Sequence, residues 1–231
     1  MKKRILKTKN KKIFVQIYNQ NKSDKNPIIF LPGYNMRVSD YKRFIENLDK
    51  KVYGIDYLVS KPSIKYFEGY IDLVLDAIKK LRLKNYIIIG HSLGGGASFF
   101  LSKKLKLKKA IAINPLSEVD YELCDYKKKF LKVAKYNFFR RIGLDIVFVL
   151  RYLSNFKSLD KLYKSLNDFK IPFNIKTDFL ILLAEKDEFF NKKYIPRKKF
   201  RKLKIILTPG RHFNLVHFSE DISKKVRDFC N

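Results

Sequence analysis

Short apolar runs alternate with longer amphipathic stretches along most of the chain. Runs at 13–19, 27–33, 51–59, 85–91, 109–116, 178–186 and 204–210 read as strands. Several are unbroken stretches of Ile, Val, Leu and Phe, such as YIIIG and FLILL, as expected of parallel strands buried on both faces. Helical patterning fills the gaps. Residues 39–50 open with Ser39 and Asp40 as cap candidates, and 66–83 place Tyr70, Leu73, Ala77 and Leu81 on one stripe. Further helices are expected at 93–108 and 219–230. This alternation predicts an α/β fold built on a doubly wound, mostly parallel sheet.

One segment breaks the rhythm. From Ser117 to about Thr177 there is no strong strand pattern. Phe130, Ala134, Phe138, Ile142, Ile146, Val149 and Leu153 recur there at helical spacing, with Gly143 as a break. Some sixty residues between two core strands is too long for a loop and points to an inserted helical cap. The expected organisation is a core of residues 1–116 and 178–231, with a helical cap insertion at 117–177.

Composition narrows the class. The 231 residues fit one domain, and 46% apolar content with 20 Phe and 14 Tyr excludes a disordered chain. Two cysteines, Cys124 and Cys230, cannot build a disulfide scaffold and show no metal-ligand spacing, so neither a metal nor a cofactor is expected. The basic start MKKRILKTKNKKIF lacks the apolar core of a signal peptide. No uncharged apolar run approaches the roughly 18 residues of a membrane span. A soluble, cytoplasmic protein is the expectation.

The formal charge of +29 raises the question of an anionic partner. Basic residues cluster at 2–12, 103–109 and 192–204. Of the 51 basic residues, however, 40 are Lys, and Arg is the better reader of phosphate. Lys, Ile, Phe, Asn and Tyr are enriched together, as AT-rich coding produces without a partner. No RNA- or DNA-binding motif accompanies the charge. An anionic membrane surface stays open as a partner, with a location peripheral to it. Lys127, Lys128, Lys129, Lys132, Lys135, Arg140 and Arg141 would place a basic exterior on the cap.

The strongest chemical signal is Gly90-His91-Ser92-Leu93-Gly94-Gly95, placed where a strand ends and a helix begins. A G-x-S-x-G turn there is tight, projects the serine hydroxyl, and aims a helix N-terminus at developing negative charge. Serine is a weak nucleophile without a base. Three histidines are available. His91 sits on the turn itself, where its side chain should point away, and reads as structural. His212 follows the last strand in PGRHF, eight residues before Glu220. His217 is the alternative five residues later. For an acid, LILLAEKDEFF offers Asp187, between Glu185 and Glu188, while Glu118 and Asp120 follow the preceding strand.

GHSLGG resembles the nucleophile motif of the serine-type α/β-hydrolases, the lipases and esterases. The likeness covers roughly 13–116 and 178–230. It implies a triad of Ser92, Asp187 and His212 in that chain order. It also implies an oxyanion hole from the backbone amides of Leu93 and Tyr34, although Pro32-Gly33 stands where the family usually has His-Gly. A serine at position 92 separates the chain from relatives that carry aspartate there. The implied activity is hydrolysis of carboxylic esters through an acyl-enzyme, on a small-molecule ester or thioester with an acyl or lipid-like group. An acyl-CoA or acyl-carrier thioesterase and a C–C bond hydrolase use the same set. A non-catalytic binder of anionic surfaces is the alternative of another class.

Overall fold

The computed structural model describes residues 2–7, 12–34, 36–56, 67–105, 107–116, 170–187, 189, 195–217 and 219–231. The strands are β1 (Lys2–Lys7), β2 (Lys12–Tyr18), β3 (Ser23–Leu31), β4 (Lys50–Asp56) and β5 (Ile87–His91). They continue with β6 (Lys109–Ile113), β7 (Ile175–Ala184) and β8 (Phe200–Thr208). The helices are α1 (Lys42–Glu46), α2 (Phe67–Leu81), α3 (Leu93–Lys104), α4 (Asn214–His217) and α5 (Ser219–Cys230). A 3-10 turn at Val38–Tyr41 leads into α1.

The strands form one eight-stranded sheet in the order β1-β2-β4-β3-β5-β6-β7-β8. β1 and β2 pair antiparallel, as do β2 and β4, and every later pairing is parallel. The doubly wound, mostly parallel sheet read from the sequence is therefore the architecture. The cap expected at 117–177 falls on residues 117–169, outside the described residues, apart from its last eight positions. Of those, Ile175, Lys176 and Thr177 belong to β7, which starts three residues before the apolar run at 178.

Strand alternation splits the core into two layers. Ile88, Ala110, Ala112, Phe179, Ile181 and Leu183 face α2 and α3. Ile87, Ile89, Ile111, Ile113, Leu180 and Leu182 face α1 and α5. The stripe read on α2 is broader than expected: Tyr70, Ala77 and Leu81 are buried, joined by Ile71, Val74 and Ile78, while Leu73 is partly buried against the same layer. Small Ala110 and Ala112 beneath α3 let that helix lie close to the sheet.

β1 escapes the sequence pattern because its apolar content is two residues, Ile5 and Leu6, of which Leu6 is buried and Ile5 exposed. Its strand state comes from pairing with β2, from Lys2 opposite Ile17 to Lys7 opposite Lys12. A lysine-rich edge strand also discourages pairing with a further chain.

Because β3 to β8 run parallel, their C-terminal ends share one edge of the sheet, the usual place for a site in such folds. The β5–α3 turn on that edge is packed backbone to backbone. A Cβ at Gly90 would overlap the Gly94 carbonyl, and one at Gly94 would overlap the Leu31 carbonyl. Gly90→Ala should thus lower stability by about 1–3 kcal/mol through overpacking alone. Urea unfolding measures it, and an unchanged midpoint would contradict the close packing of this turn.

Candidate active site

Ser92 sits at φ 53°, ψ −114°, in a region that a residue with a Cβ occupies only under constraint. The constraint is visible in its backbone bonds. Its N–H donates to the Ile113 carbonyl (3.0 Å), and its carbonyl accepts from Gly96 (2.9 Å) and Leu116 (3.0 Å). Although it stands at the N-cap of α3, its hydroxyl makes no capping bond. The hydroxyl lies instead 3.0 Å from His212 Nε2.

His212 Nδ1 is 2.9 Å from Asp187 Oδ2, and both side chains are buried, at 4% and 0% exposure. The second carboxylate oxygen accepts the Phe189 N–H at 2.8 Å. An ionised carboxylate only accepts, so Nδ1 carries the imidazole proton and a neutral ring leaves Nε2 to accept from Ser92. The acid turn is stitched to the end of β8 through Glu185 N–H to Thr208 (2.9 Å) and Lys186 N–H to Gly210 (3.1 Å). Rings enclose the imidazole: Phe189 meets it edge-on at 4.7 Å and Phe213 at 5.1 Å.

Three residues read from the sequence thus come together in one hydrogen-bonded chain. Leu93 opens α3 directly after Ser92 and is buried. Gly33 packs against the turn: a Cβ there would lie 3.2 Å from Ser92 Cβ and 3.0 Å from His91 Nδ1. Tyr34 follows it in the same loop, half-buried, with burial pushing its phenol up to about 12. Among the alternatives, Glu185 is exposed at the turn. Glu118, Asp120 and Glu188, and the side chain of His217, lie outside the described residues.

Other polar residues at this edge carried little sequence signal. Asn114, at φ 43° after β6, is fully buried. Its Nδ2 donates to the His212 carbonyl (2.6 Å) and to Asn214 Oδ1 (2.9 Å), and its Oδ1 accepts the Ala184 N–H (2.7 Å). Asn214 in turn donates to Thr208 Oγ1 (2.7 Å) and the Pro209 carbonyl (3.1 Å). This network joins the end of β6 to those of β7 and β8, the two strands that place Asp187 and His212. A buried polar network of this kind is stiff when every member is paired. An asparagine closing an apolar strand just before Pro115 is the sequence feature that marks it.

Among the described residues, no three His, Cys, Asp or Glu side chains are grouped to hold a metal ion. No described helix is long and apolar enough to cross a membrane. Exposed Lys103 and Lys104 end α3 and Lys108 precedes β6, so this cluster lies at the opposite end of the sheet from Ser92.

The strand order, with Ser92 after β5, Asp187 after β7 and His212 after β8, is that of the α/β-hydrolase fold. The likeness to solved structures agrees. A membrane phospholipase A, described as a bacterial virulence factor, superposes with a TM-score of 0.82 at 14% identity, over 99% of this chain and 85% of that one. The enol-lactonase of Burkholderia xenovorans superposes with a TM-score of 0.80 at 12% identity, over 98% and 99%. At such identities the likeness is one of fold. The chain belongs to the uncharacterised protein family UPF0227, which it matches over residues 28–230. It is also similar to a Mycoplasma genitalium protein named "Putative esterase/lipase 2", 28% identical over 168 residues. That match covers 68% of this chain and 59% of the relative, so the chain spans about three fifths of the relative's length.

His91 gives the site a pH signature in stability. Burial first, and then neighbouring His212, pushes its pKa down to about 3, against the opposing hydrogen bond to the His212 carbonyl. An unfolded chain protonates this histidine below about pH 6.5, whereas the folded chain holds it neutral until about pH 3. Stability should therefore be indifferent to His91 above this window and fall within it as pH drops, by up to about 1.4 kcal/mol per pH unit. His91→Gln removes that slope. Urea midpoints at pH 7 and pH 4.5 should differ less in the variant than in the wild type.

Proposed function

We propose that this protein is a serine hydrolase of carboxylic esters. The observation that carries the reading is the chain Ser92 Oγ–His212 Nε2 and His212 Nδ1–Asp187 Oδ2, at 3.0 and 2.9 Å. Ser92 attacks the ester carbonyl while His212 takes its proton, and Asp187 holds the imidazole in the required tautomer and stabilises its charged form. The amides of Leu93 and Tyr34 receive the oxyanion. Collapse of the tetrahedral species expels the alcohol, to which His212 returns the proton. Water then attacks the acyl-enzyme by the same steps in reverse order and releases the acid.

Substrate class follows less directly. The phospholipase A and the enol-lactonase both act, by their names, on molecules with an ester bond, linear in one case and cyclic in the other. The Mycoplasma genitalium relative carries an esterase/lipase name. Aromatic Phe189 and Phe213 against His212 favour an apolar acyl group over a charged one. An anionic membrane remains a proposed partner on the strength of the net charge, and a cytoplasmic location peripheral to it fits that partner.

A fluorophosphonate probe tests the nucleophile without a guess at the substrate. Wild type should label, and Ser92→Ala and His212→Ala should not. Asp187→Asn should retain the fold and lower kcat on p-nitrophenyl esters by about 10³–10⁴-fold, since the carboxamide favours the wrong tautomer. Well-folded wild type that fails to label would overturn the hydrolase reading and favour a binding role. Faster turnover of acyl-CoA than of matched oxygen esters would move the assignment to thioesters.

A further inference from the structure

The loop after β3 does not stand alone beside Ser92. Gly33 N–H donates to the Tyr41 hydroxyl at 3.1 Å, across eight residues of its own loop. The same hydroxyl lies 2.8 Å from His91 Nδ1, and His91 Nε2 lies 3.1 Å from the His212 carbonyl. Tyr41 and His91 are fully buried, at 1% and 0% exposure, and the Tyr41 ring packs edge-on against Phe30 at 4.9 Å.

Proton counting fixes the direction of every bond. A carbonyl only accepts, so His91 Nε2 carries a proton. The ring is neutral in its buried site, so Nδ1 is bare and accepts the single proton of Tyr41. The Gly33 amide only donates, and it meets a lone pair of the phenol. The chain therefore runs one way, from Gly33 N–H through Tyr41 O–H and the His91 ring to the His212 carbonyl. Donors aligned head to tail strengthen one another. One end lies in the loop that carries the Tyr34 amide, and the other is the backbone of the residue that bears the imidazole.

Gly33 and Tyr34 are adjacent, so anchoring the first amide leaves only the two dihedrals of Gly33 between that anchor and the second. An oxyanion donor must reach about 2.7–3.1 Å from the developing charge, a tolerance far smaller than ordinary loop motion. The His212 carbonyl is meanwhile held from its other side by Asn114.

We propose that Tyr41 and His91 are positioning residues that hold the oxyanion loop and the imidazole loop in register about Ser92, the Tyr41 hydroxyl acting through the loop amides without touching substrate. The inference rests on the ester-hydrolase reading. It goes beyond that reading by assigning catalytic consequence to two residues outside the Ser92–His212–Asp187 chain.

Tyr41→Phe keeps the packed ring and deletes only the hydroxyl. On p-nitrophenyl butyrate its kcat should fall about 10- to 100-fold, the range expected when an oxyanion donor is misplaced rather than deleted, while KM stays within about twofold. Affinity for butylboronic acid, whose adduct with serine mimics the tetrahedral species, should fall by the same factor as kcat/KM. His91→Leu should match Tyr41→Phe, and the double variant should be no worse than either single one, because each breaks the same chain. His91→Gln can still accept from Tyr41 and donate to the His212 carbonyl, and should recover most of the loss. A Tyr41→Phe or His91→Leu protein that is folded, with kcat and boronate affinity within twofold of wild type, overturns the relay. So does an additive double variant, or a loss confined to thermal stability. If Tyr41→Phe does not fold, the Leu and Gln comparison at position 91 decides. Wild type that labels and turns over while the variants match it removes only this inference. Wild type that does neither removes the hydrolase reading itself.

Discussion

The left-handed backbone at Ser92 is the constraint around which the rest of the site is arranged. A residue at φ 53°, ψ −114° is held against its own preference, so it persists only where its surroundings over-determine it. Here they do. Three backbone hydrogen bonds, one donated to Ile113 and two accepted from Gly96 and Leu116, pin the residue on both sides. A Cβ at Gly90 would meet the Gly94 carbonyl and one at Gly94 the Leu31 carbonyl, so neither position has room for one. The strained turn lifts the hydroxyl off the helix that it would otherwise cap and turns it toward His212. Strand β5 sits near the middle of the sheet, between β3 and β6, so the turn inherits the stiffness of the most buried part of the fold.

Everything else at this edge answers to that fixed point. The loop that carries Gly33 and Tyr34 follows β3 on one side, and Asp187 and His212 follow β7 and β8 on the other. These loops are short on regular structure, so their positions depend on side-chain bonds. Asn114 meets this need from β6, the strand between β5 and β7: its amide contacts the His212 carbonyl, Asn214 and the Ala184 amide at once. His91 meets it from β5 itself. The His212 carbonyl accepts from both residues, so the loop bearing the imidazole is gripped by its backbone and leaves the ring to Ser92 and Asp187. Burial, against that bond to the His212 carbonyl, keeps the histidine next to Ser92 neutral, so that one ring nitrogen donates while the other accepts.

Much of this was legible in the sequence, for reasons that can be named. Parallel strands buried on both faces write themselves as apolar runs, so β5, β6 and β7 are plain in YIIIG, KAIAI and FLILL. Ser92 was legible because its turn demands glycines at fixed offsets. His212 and Asp187 came from the resemblance to the α/β-hydrolases, which implies an imidazole and an acid after the last two strands. What the sequence hid depends on pairing and on distance. The edge strand β1 has no pattern of its own and forms against β2. Tyr41 looks like one of fourteen tyrosines until the loop folds back and sets its hydroxyl beside Gly33. Asn114 resembles a strand terminator, and only the fold brings it to His212, 98 residues away.

The division between core and edge also explains how far the fold outlasts sequence identity. A TM-score of 0.82 at 14% identity means that most core side chains differ from those of the phospholipase A while the sheet is retained. Apolar layers tolerate this, since volume and pattern suffice to keep such a core folded. The polar edge does not have the same freedom. Replacing one member of a buried hydrogen-bond network strands its partners, and the cost of an unmet buried donor exceeds the net gain from making the bond. The high positive charge stands outside both parts. Many of its described residues lie on exposed positions, such as Lys103, Lys104 and Lys108 at the strand-start end and Arg201, Lys202 and Lys204 on the β8 edge, although Lys199 is buried. These lysines and arginines neither pack the layers nor enter the Ser92–His212–Asp187 chain. Charge at such exposed positions can therefore vary with little consequence for the packing, whereas replacing buried Asn114, His91 or Tyr41 leaves hydrogen-bond partners unmet.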